Sequence, residues 1–220
     1  MDGDLMPKRI ALTVIALAGM LGVGYGAGRT TTLLGGPTQT KRPQVQLPAG
    51  PASWVAFEAD VTVTDLGQGT LFQRFYRASD GSTRTEAYSP DKTQVVITIH
   101  NAQTRRVYVK GPSGGWASMA DVQPPLVTQP AFRTDWVGTT PESVAGLEAY
   151  RLAKTGSTAW LARDLNYFEI RTEYPQAGKL REYQNIERRE PSRDLFLPPA
   201  GEDVRDVSQV SELLRRDGGK

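Results

Sequence analysis

The sequence contains no cysteine, and this absence removes several kinds of chemistry at once. A chain without thiols forms no disulfide, offers no thiolate nucleophile, and has no cysteine for metal binding or lipidation. It has one histidine, His100, so neither a conventional zinc site nor a cysteine–histidine dyad is expected. His100 lies near the end of a predicted strand, where we expect a structural role.

The sequence also has no large excess of positive charge. The chain has 26 Lys and Arg against 24 Asp and Glu, a net charge of +2. Nucleic-acid binding needs a dense basic surface, so we expect no nucleic-acid partner. The sequence also lacks a glycine-rich dinucleotide motif after a strand and a phosphate-binding P-loop. We therefore predict no cofactor, no metal, no catalytic residues and no enzymatic activity.

Long apolar runs are scarce, and the one exception lies at the N-terminus. Lys8 and Arg9 precede an uncharged run at positions 10–28, which is followed by Arg29. As a helix this run would measure roughly 28 Å, close to the thickness of a bilayer core. Residues 1–28 are therefore predicted to be a membrane anchor or a cleaved signal peptide. The basic residues predict that everything after Arg29 is extracytoplasmic, at a bacterial-type inner membrane.

The rest of the chain divides by composition into three parts. Residues 29–53 are rich in Pro, Gly, Thr and Gln without apolar periodicity, which predicts a linker. Residues 54–207 are predicted to form the folded domain. In the tail, 208–220, apolar residues at helical spacing predict a short helix.

Alternating apolar and polar residues predict strands through most of residues 54–190. The run from Phe57 to Thr64 has a period of two, and the Asp80–Gly81 pair predicts a tight hairpin between later strands. Eight or nine antiparallel strands at near-regular spacing predict a mainly β domain built as a single curved sheet or open barrel.

A group of polar and aromatic residues stands out between Trp160 and Glu173. The alternation places Phe168, Ile170 and Thr172 on one face of a strand. It places Tyr167, Glu169, Arg171 and Glu173 on the other. Charge at every second position is typical of a strand with one solvated face, so we interpret this group as an outer sheet surface and not as a catalytic cluster.

The second half of the domain contains four short structural motifs, one after another: Gly146 with Tyr150, Trp160 with Asp164, Asn185 with Ile186, and Leu195-Phe196 with Pro198-Pro199-Ala200-Gly201. In this order they resemble the outer-membrane lipoprotein carrier (LolA-like) family and its extracytoplasmic relatives, over roughly 150 residues. The resemblance implies a curved antiparallel sheet forming a half-open barrel with a helical or loop lid. It also implies an apolar cavity, which in the carriers receives the acyl chains of a lipoprotein.

The stretch from Gly111 to Ser143 shows no sustained alternation. So long an irregular segment is typical either of a lid or binding loop, or of a plug that fills one mouth of a barrel. In both cases its aromatic residues should lie beside the cavity. The predicted cavity residues are Phe57, Val61, Trp116, Phe132 and Trp136.

Two functional hypotheses follow from these features. The first is a membrane-anchored extracytoplasmic binding module whose apolar cavity holds a lipid, an acyl chain or another hydrophobic ligand. The second is a structural or regulatory envelope protein that binds another protein through the outer sheet face or an edge strand.

Overall fold

The structure is a computed structural model that describes residues 50–51, 53–67, 69–89, 95–112, 114–121, 138 and 140–207. The predicted anchor, most of the linker and the predicted C-terminal helix lie outside these residues. Among the described residues, no helix is both long enough and apolar enough to cross a membrane.

The described chain is mainly β, as predicted, and its strands form one sheet. The twelve strands are β1 (Phe57–Asp65), β2 (Gly69–Arg77), β3 (Thr83–Tyr88), β4 (Val95–Asn101), β5 (Arg106–Lys110), β6 (Trp116–Ala120), β7 (Glu142–Val144), β8 (Leu147–Lys154), β9 (Ser157–Ala162), β10 (Phe168–Tyr174), β11 (Lys179–Glu187) and β12 (Val204–Asp206). Short 3-10 helices span Arg163–Leu165, Pro175–Ala177 and Arg193–Phe196.

The sheet is open, with the order β12-β6-β5-β4-β3-β2-β1-β11-β10-β9-β8-β7. Its neighbours pair antiparallel, except that β12 pairs parallel with β6. The sequence predicted eight or nine strands and missed β6, β7 and β12; of these, β7 and β12 have only three residues each. The segment Gly111–Ser143, which the sequence predicted to be irregular, contains β6 at Trp116–Ala120 and the first two residues of β7.

The Asp80–Gly81 turn is confirmed as the connection between β2 and β3. Gly81 has a φ of 90°, a left-handed conformation that glycine adopts without steric cost. Its amide donates to the carbonyl of Ala78 at 3.1 Å, and the Ala78 amide donates to the carbonyl of Ser82 at 2.9 Å. This tight reversal keeps β1, β2 and β3 in sequential antiparallel pairing.

Buried side chains form three clusters. The aromatic core contains Phe57, Ala59, Val61, Phe75, Val144, Ala149, Trp160, Ala162, Leu165, Ile170 and Tyr183, with Phe168 packed against it. A second cluster contains Tyr150, Leu152, Ala159, Leu161 and Tyr167. The third, called here the C-terminal cluster, contains Ala78, Ile99, Tyr108, Trp116 and Phe196.

The outer-surface interpretation of Tyr167 was wrong, because this residue is only 4% exposed. The 3-10 helix at Arg163–Leu165 and the left-handed residues Asn166 and Tyr167 reset the alternation before β10 begins. A register shift between Glu169 and Arg171 changes it again. Strand β9 is buried at four consecutive positions, so one-sided burial does not hold there.

Candidate functional site

Strand register assigns the side chains of β1 to β6 to two faces. Phe57, Ala59, Val61 and Val63 point to one side, which we call the Phe57 face. Cross-strand partners share a face, and the pairing from β1 through β6 has no register shift. The opposite side, which we call the Asp60 face, carries Asp60, Arg74 and Glu86 in one cross-strand row.

Four aromatic rings pack together on the Phe57 face. The ring centroids of Phe57 and Phe75 lie 5.5 Å apart, and those of Phe57 and Phe168 lie 5.1 Å apart. Tyr183 makes edge-on contacts with both Phe75 and Phe168. Val61 pairs with Tyr183 on β11 and with Gln73 on β2. Phe57 and Val61, both predicted as cavity residues, therefore lie in one aromatic core.

Two polar side chains of β2 are buried in this apolar surface. Gln73 is 3% exposed, and both its amide nitrogen and its amide oxygen lack a hydrogen-bond partner among the described residues. Arg77 is 4% exposed, and its Nη1 has no acceptor there either. Buried polar groups are normally paired, since an unpaired one loses its bonds to water without replacement. Both side chains depart from this rule on the same strand and the same face, and together they mark the site.

The guanidinium of Arg77 lies close to two aromatic rings. Its guanidinium carbon lies 3.8 Å from the ring centroid of Trp54 and 5.1 Å from that of Phe168. Burial lowers the pKa of Arg77 to about 10, and the side chain remains cationic at neutral pH. Stacking on rings provides electrostatic stabilisation of the cation, but it leaves the in-plane N–H donors to find acceptors elsewhere.

Trp116 does not join Phe57 and Val61. The register places it in a row with Lys110 and Ile97, on the Asp60 face. There it belongs to the C-terminal cluster and packs with Phe196 from the segment that follows β11. Phe132 and Trp136 lie outside the described residues. The structure therefore brings together two of the five predicted cavity residues and separates a third from them.

The Asp60 face carries a network of ion pairs. Arg74 contacts Glu58 at 2.9 Å and Asp60 at 2.7 Å, and Glu58 also pairs with Arg189. A hydrogen bond from Asn185, together with Arg74, lowers the pKa of Asp60. Each buried or half-buried charge of this network has a partner of opposite sign, in contrast to Arg77.

Two open grooves lie on this same side. One, of about 740 Å³, is lined by Asp60, Arg74, Ala145 and residues 184–187. The other, of about 920 Å³, lies between β5, β6 and the C-terminal segment and includes Tyr108, Leu197, Pro198 and Pro199. Leu197 is one of the exposed large apolar residues.

The residues of the Trp160–Glu173 group make separate structural contacts. Trp160 donates to Glu142 at 2.9 Å, while Arg163 contacts Glu148 and Asp164. His100 lies 3.5 Å from Asp121. No group of three or more acidic, histidine or cysteine residues with metal-binding geometry occurs within the described ranges.

Sequence reasoning missed Gln73 and Arg77, although a signal was present. In the run from Leu71 to Arg77, side chains at odd-numbered positions point to one face of the strand, and Phe75 marks that face as apolar. The same alternation assigns Gln73 and Arg77 to the buried face.

Comparison with known proteins gives little further information. No model of a known protein family matches the sequence, and no curated protein matches it. Among solved structures, the chain is similar to an uncharacterized conserved protein from Thermus thermophilus. The two are 11% identical, the match covers 69% of this chain and 90% of that one, and the TM-score is 0.49.

Proposed function

We propose that this chain is a membrane-anchored extracytoplasmic binding module that holds a lipid, an acyl chain or another hydrophobic ligand on the Phe57 face. The anchor is residues 10–28, and the domain lies on the periplasmic side of a bacterial-type inner membrane. In this proposal the β-sheet forms the half-open barrel of the LolA-like carriers. The lid or plug that the sequence predicts within Gly111–Ser143 includes Phe132 and Trp136, which lie outside the described residues.

One observation carries the proposal: strands β4 to β6 have apolar side chains on both faces. On the Asp60 face, Ile99, Tyr108 and Trp116 are buried beneath the C-terminal segment. On the Phe57 face, Val96, Val107, Ala117 and Met119 are only half-buried. These four belong to none of the clusters formed by the described residues.

An antiparallel sheet with a solvated face normally carries polar residues there. Val107 pairs with Met119, and Val109 pairs with Ala117, so the apolar side chains are adjacent across the strands. In the other direction Val96 pairs with Ala87 on β3, Ala87 pairs with Gln73 on β2, and Thr98 and Thr85 lie in the row that leads to Phe75. The apolar side chains of β4 to β6 therefore form a patch that shares the Phe57 face with the aromatic core and is separated from it by polar residues. An apolar patch of this kind suits a hydrophobic ligand, since burying a methylene group contributes about 0.8 kcal/mol.

The two grooves on the Asp60 face favour a second candidate function, the binding of another envelope protein. The groove beside Leu197 combines apolar residues with the Arg106–Asp206 ion pair, whose Nη2 and Oδ2 atoms are in direct contact. A mixture of an apolar centre and charged edges is typical of protein interfaces. In this case the Phe57 face would be filled by the chain's own side chains.

Photo-crosslinking tests the ligand proposal on the full chain in lipid vesicles. The probe is dodecanoic acid with a diazirine at its methyl end, and peptide mass spectrometry locates the label. We expect label on β1, β2, β5 and β6 at residues of the Phe57 face. Label confined to residues 10–28, with none on the strands, would contradict a ligand site in the domain.

Leu71 and Phe72 provide a matched pair of variants. They are adjacent in β2 and point to opposite faces, Leu71 toward the Phe57 face and Phe72 toward the Asp60 face. Leu71→Glu places a carboxylate on the apolar surface and should reduce strand labelling at least tenfold. Phe72→Glu adds the same charge on the other side and should leave labelling unchanged. Equal labelling of the two variants would also contradict the proposal.

A further inference from the structure

Arg77 is the most deeply buried arginine that the described residues show, and it differs from Arg74, Arg84 and Arg171 in its ion-pair partners. Arg74 pairs with Glu58 and Asp60, Arg84 pairs with Glu86, and Arg171 pairs with Glu173 and Glu182. All three are more exposed than Arg77. No carboxylate of the described chain forms an ion pair with Arg77.

An unpaired cation at such depth is unfavourable for the free protein. Moving a guanidinium out of water is compensated only when an anion or several acceptors replace its hydration. The rings of Trp54 and Phe168 lie near the guanidinium carbon, and aromatic rings supply no strong acceptor for its N–H donors. Nη1 is one such donor, buried without an acceptor in the described chain. The group that would compensate it is therefore an anion that approaches the guanidinium edge.

Gln73 extends the same site along β2. It lies four residues before Arg77 on the same face, which corresponds to about 13 Å along a strand. Phe75 lies between them, with Phe57 and Tyr183 packed against it. Gln73, Phe75 and Arg77 therefore form a buried row with a cation at one end, rings in the middle and an unpaired amide at the other end, and none of the three is more than 6% exposed.

On this basis we propose that Arg77 binds the anionic headgroup of an amphipathic ligand whose apolar chain lies over Phe75 toward Gln73. The recognised chemistry is a group of negatively charged oxygens, a carboxylate or a phosphate ester, attached to an alkyl chain. This inference rests on the proposed function, because it assigns the polar end of the ligand to the same face. It adds selectivity for an anion, which an apolar surface alone would not have.

The plain structural alternative is that Arg77 only holds Trp54 against the aromatic core. Under this alternative the guanidinium would give no preference for an anionic ligand. The two interpretations can be separated by comparing competitors that share a chain length and differ in headgroup.

The test uses the full chain in vesicles and the same diazirine-labelled dodecanoic acid. Dodecanoate, dodecyl phosphate and dodecanol compete for labelling of the Phe57 face, with each concentration measured in the membrane. We expect at least one anionic competitor to act at concentrations at least tenfold lower than dodecanol. The stronger of the two anions identifies the headgroup as a carboxylate or a phosphate.

Arg77→Met removes the charge and keeps a chain of similar length. We expect labelling to persist in this variant while the anionic preference falls to less than twofold. Arg151→Met is the control, because Arg151 is an exposed arginine elsewhere in the sheet, and the preference should remain. If Arg77→Met does not fold, the ranking of the three competitors on the wild type decides alone.

The outcomes distinguish this inference from the proposed function. Strand labelling with equal competition by dodecanol and the anions would overturn the role of Arg77 and retain the ligand site. An anionic preference that survives in Arg77→Met would also overturn the role of Arg77 and retain the ligand site. Absence of strand labelling in the wild type would overturn the ligand site itself, and the headgroup assignment with it.

Discussion

Asn185 donates a hydrogen bond from its side-chain amide to the carboxylate of Asp60, at 2.9 Å, beside the register shift between β1 and β11. Asn185 has a φ of 49°, a left-handed conformation that asparagine tolerates better than most residues. The backbone irregularity and the side-chain contact therefore depend on the same residue. Asn185 fixes how β11 joins the centre of the sheet.

We expect Asn185→Ala to lower the free energy of unfolding by roughly 2 kcal/mol. The loss combines about 1 kcal/mol for the hydrogen bond with about 1 kcal/mol for alanine in a left-handed conformation. Asn185→Gly should lose only about half as much, because glycine adopts the backbone angles freely. Urea unfolding followed by tryptophan fluorescence measures both. Equal losses would show that the backbone angle contributes nothing.

The lowered pKa of Asp60 predicts a dependence of stability on pH. Its carboxylate is favoured in the folded state by Asn185 and Arg74, so its contribution is present at neutral pH. That contribution is lost as the pH falls through the folded-state pKa, below the ordinary value of about 3.9. We expect the wild type to be more stable than Asp60→Asn at pH 7, with a difference that narrows toward pH 3.

Chemical denaturation across that pH range provides the measurement. Asp203→Asn is a suitable control, since Asp203 is exposed and its removal should change little at either pH. A difference between wild type and Asp60→Asn that grows on acidification would contradict the sign of the linkage.

Trp160 ties the edge strand β7 to the sheet through its bond to Glu142. The guanidinium carbon of Arg171 lies 4.9 Å from the Trp160 ring centroid. Trp160→Phe keeps a ring for this contact but removes the N–H donor and part of a buried ring, so we expect a loss of stability of at least about 1 kcal/mol. Glu142→Gln keeps an acceptor oxygen, so we expect it to lose less stability than Trp160→Phe. Thermal unfolding of the three proteins checks the order, and an unchanged midpoint for Trp160→Phe would contradict it.

Asn101 anchors the C-terminal segment to β4. Its side-chain amide donates to the carbonyl of Phe196 at 2.9 Å, and its oxygen accepts from the amides of Gln103 and Thr104. Asn101→Ala leaves the Phe196 carbonyl without its donor and the turn amides of Gln103 and Thr104 without their acceptor, so we expect the free energy of unfolding to fall by about 2–3 kcal/mol. Asn101→Asp keeps the acceptor for the turn amides, but it replaces the donor with a carboxylate oxygen that faces the Phe196 carbonyl.

Hydrogen exchange gives a local measurement of that anchor. In both Asn101 variants, amides of residues 195–207 should exchange faster, including Val207, which donates to Ser118 at 2.8 Å. The turn amides of Gln103 and Thr104 should exchange faster in Asn101→Ala than in Asn101→Asp. Unchanged exchange at residues 195–207 would mean that the segment is held by apolar packing alone.

The sequence was sufficient to predict β1 to β5, because alternation and the Asp80–Gly81 turn are local properties of the chain. It could not predict β6, since Trp116–Ala120 is a five-residue strand with little polar contrast. It also could not show that Trp116 and Phe57 point to opposite faces. Alternation gives the relative orientation within one strand, whereas the face shared by distant strands depends on register.

The candidate site shows the same limit. Phe57 and Val61 were found because they are apolar at alternate positions of one strand. Gln73 and Arg77 were missed because a polar residue on an alternating strand is ordinarily exposed. Their importance comes from burial without a partner in the described chain, and burial is a property of the assembled sheet.

The parallel pairing of β12 with β6 also sets an order of events during synthesis. Val204 pairs with Trp116, so β6 is synthesised 88 residues before its parallel neighbour β12. At about 5–20 residues per second, that interval lasts roughly 4–18 s. During this time Ile99, Tyr108 and Trp116 have no C-terminal segment above them. The nascent chain therefore presents an uncovered apolar surface late in translation, at the stage when binding by a chaperone would protect it most.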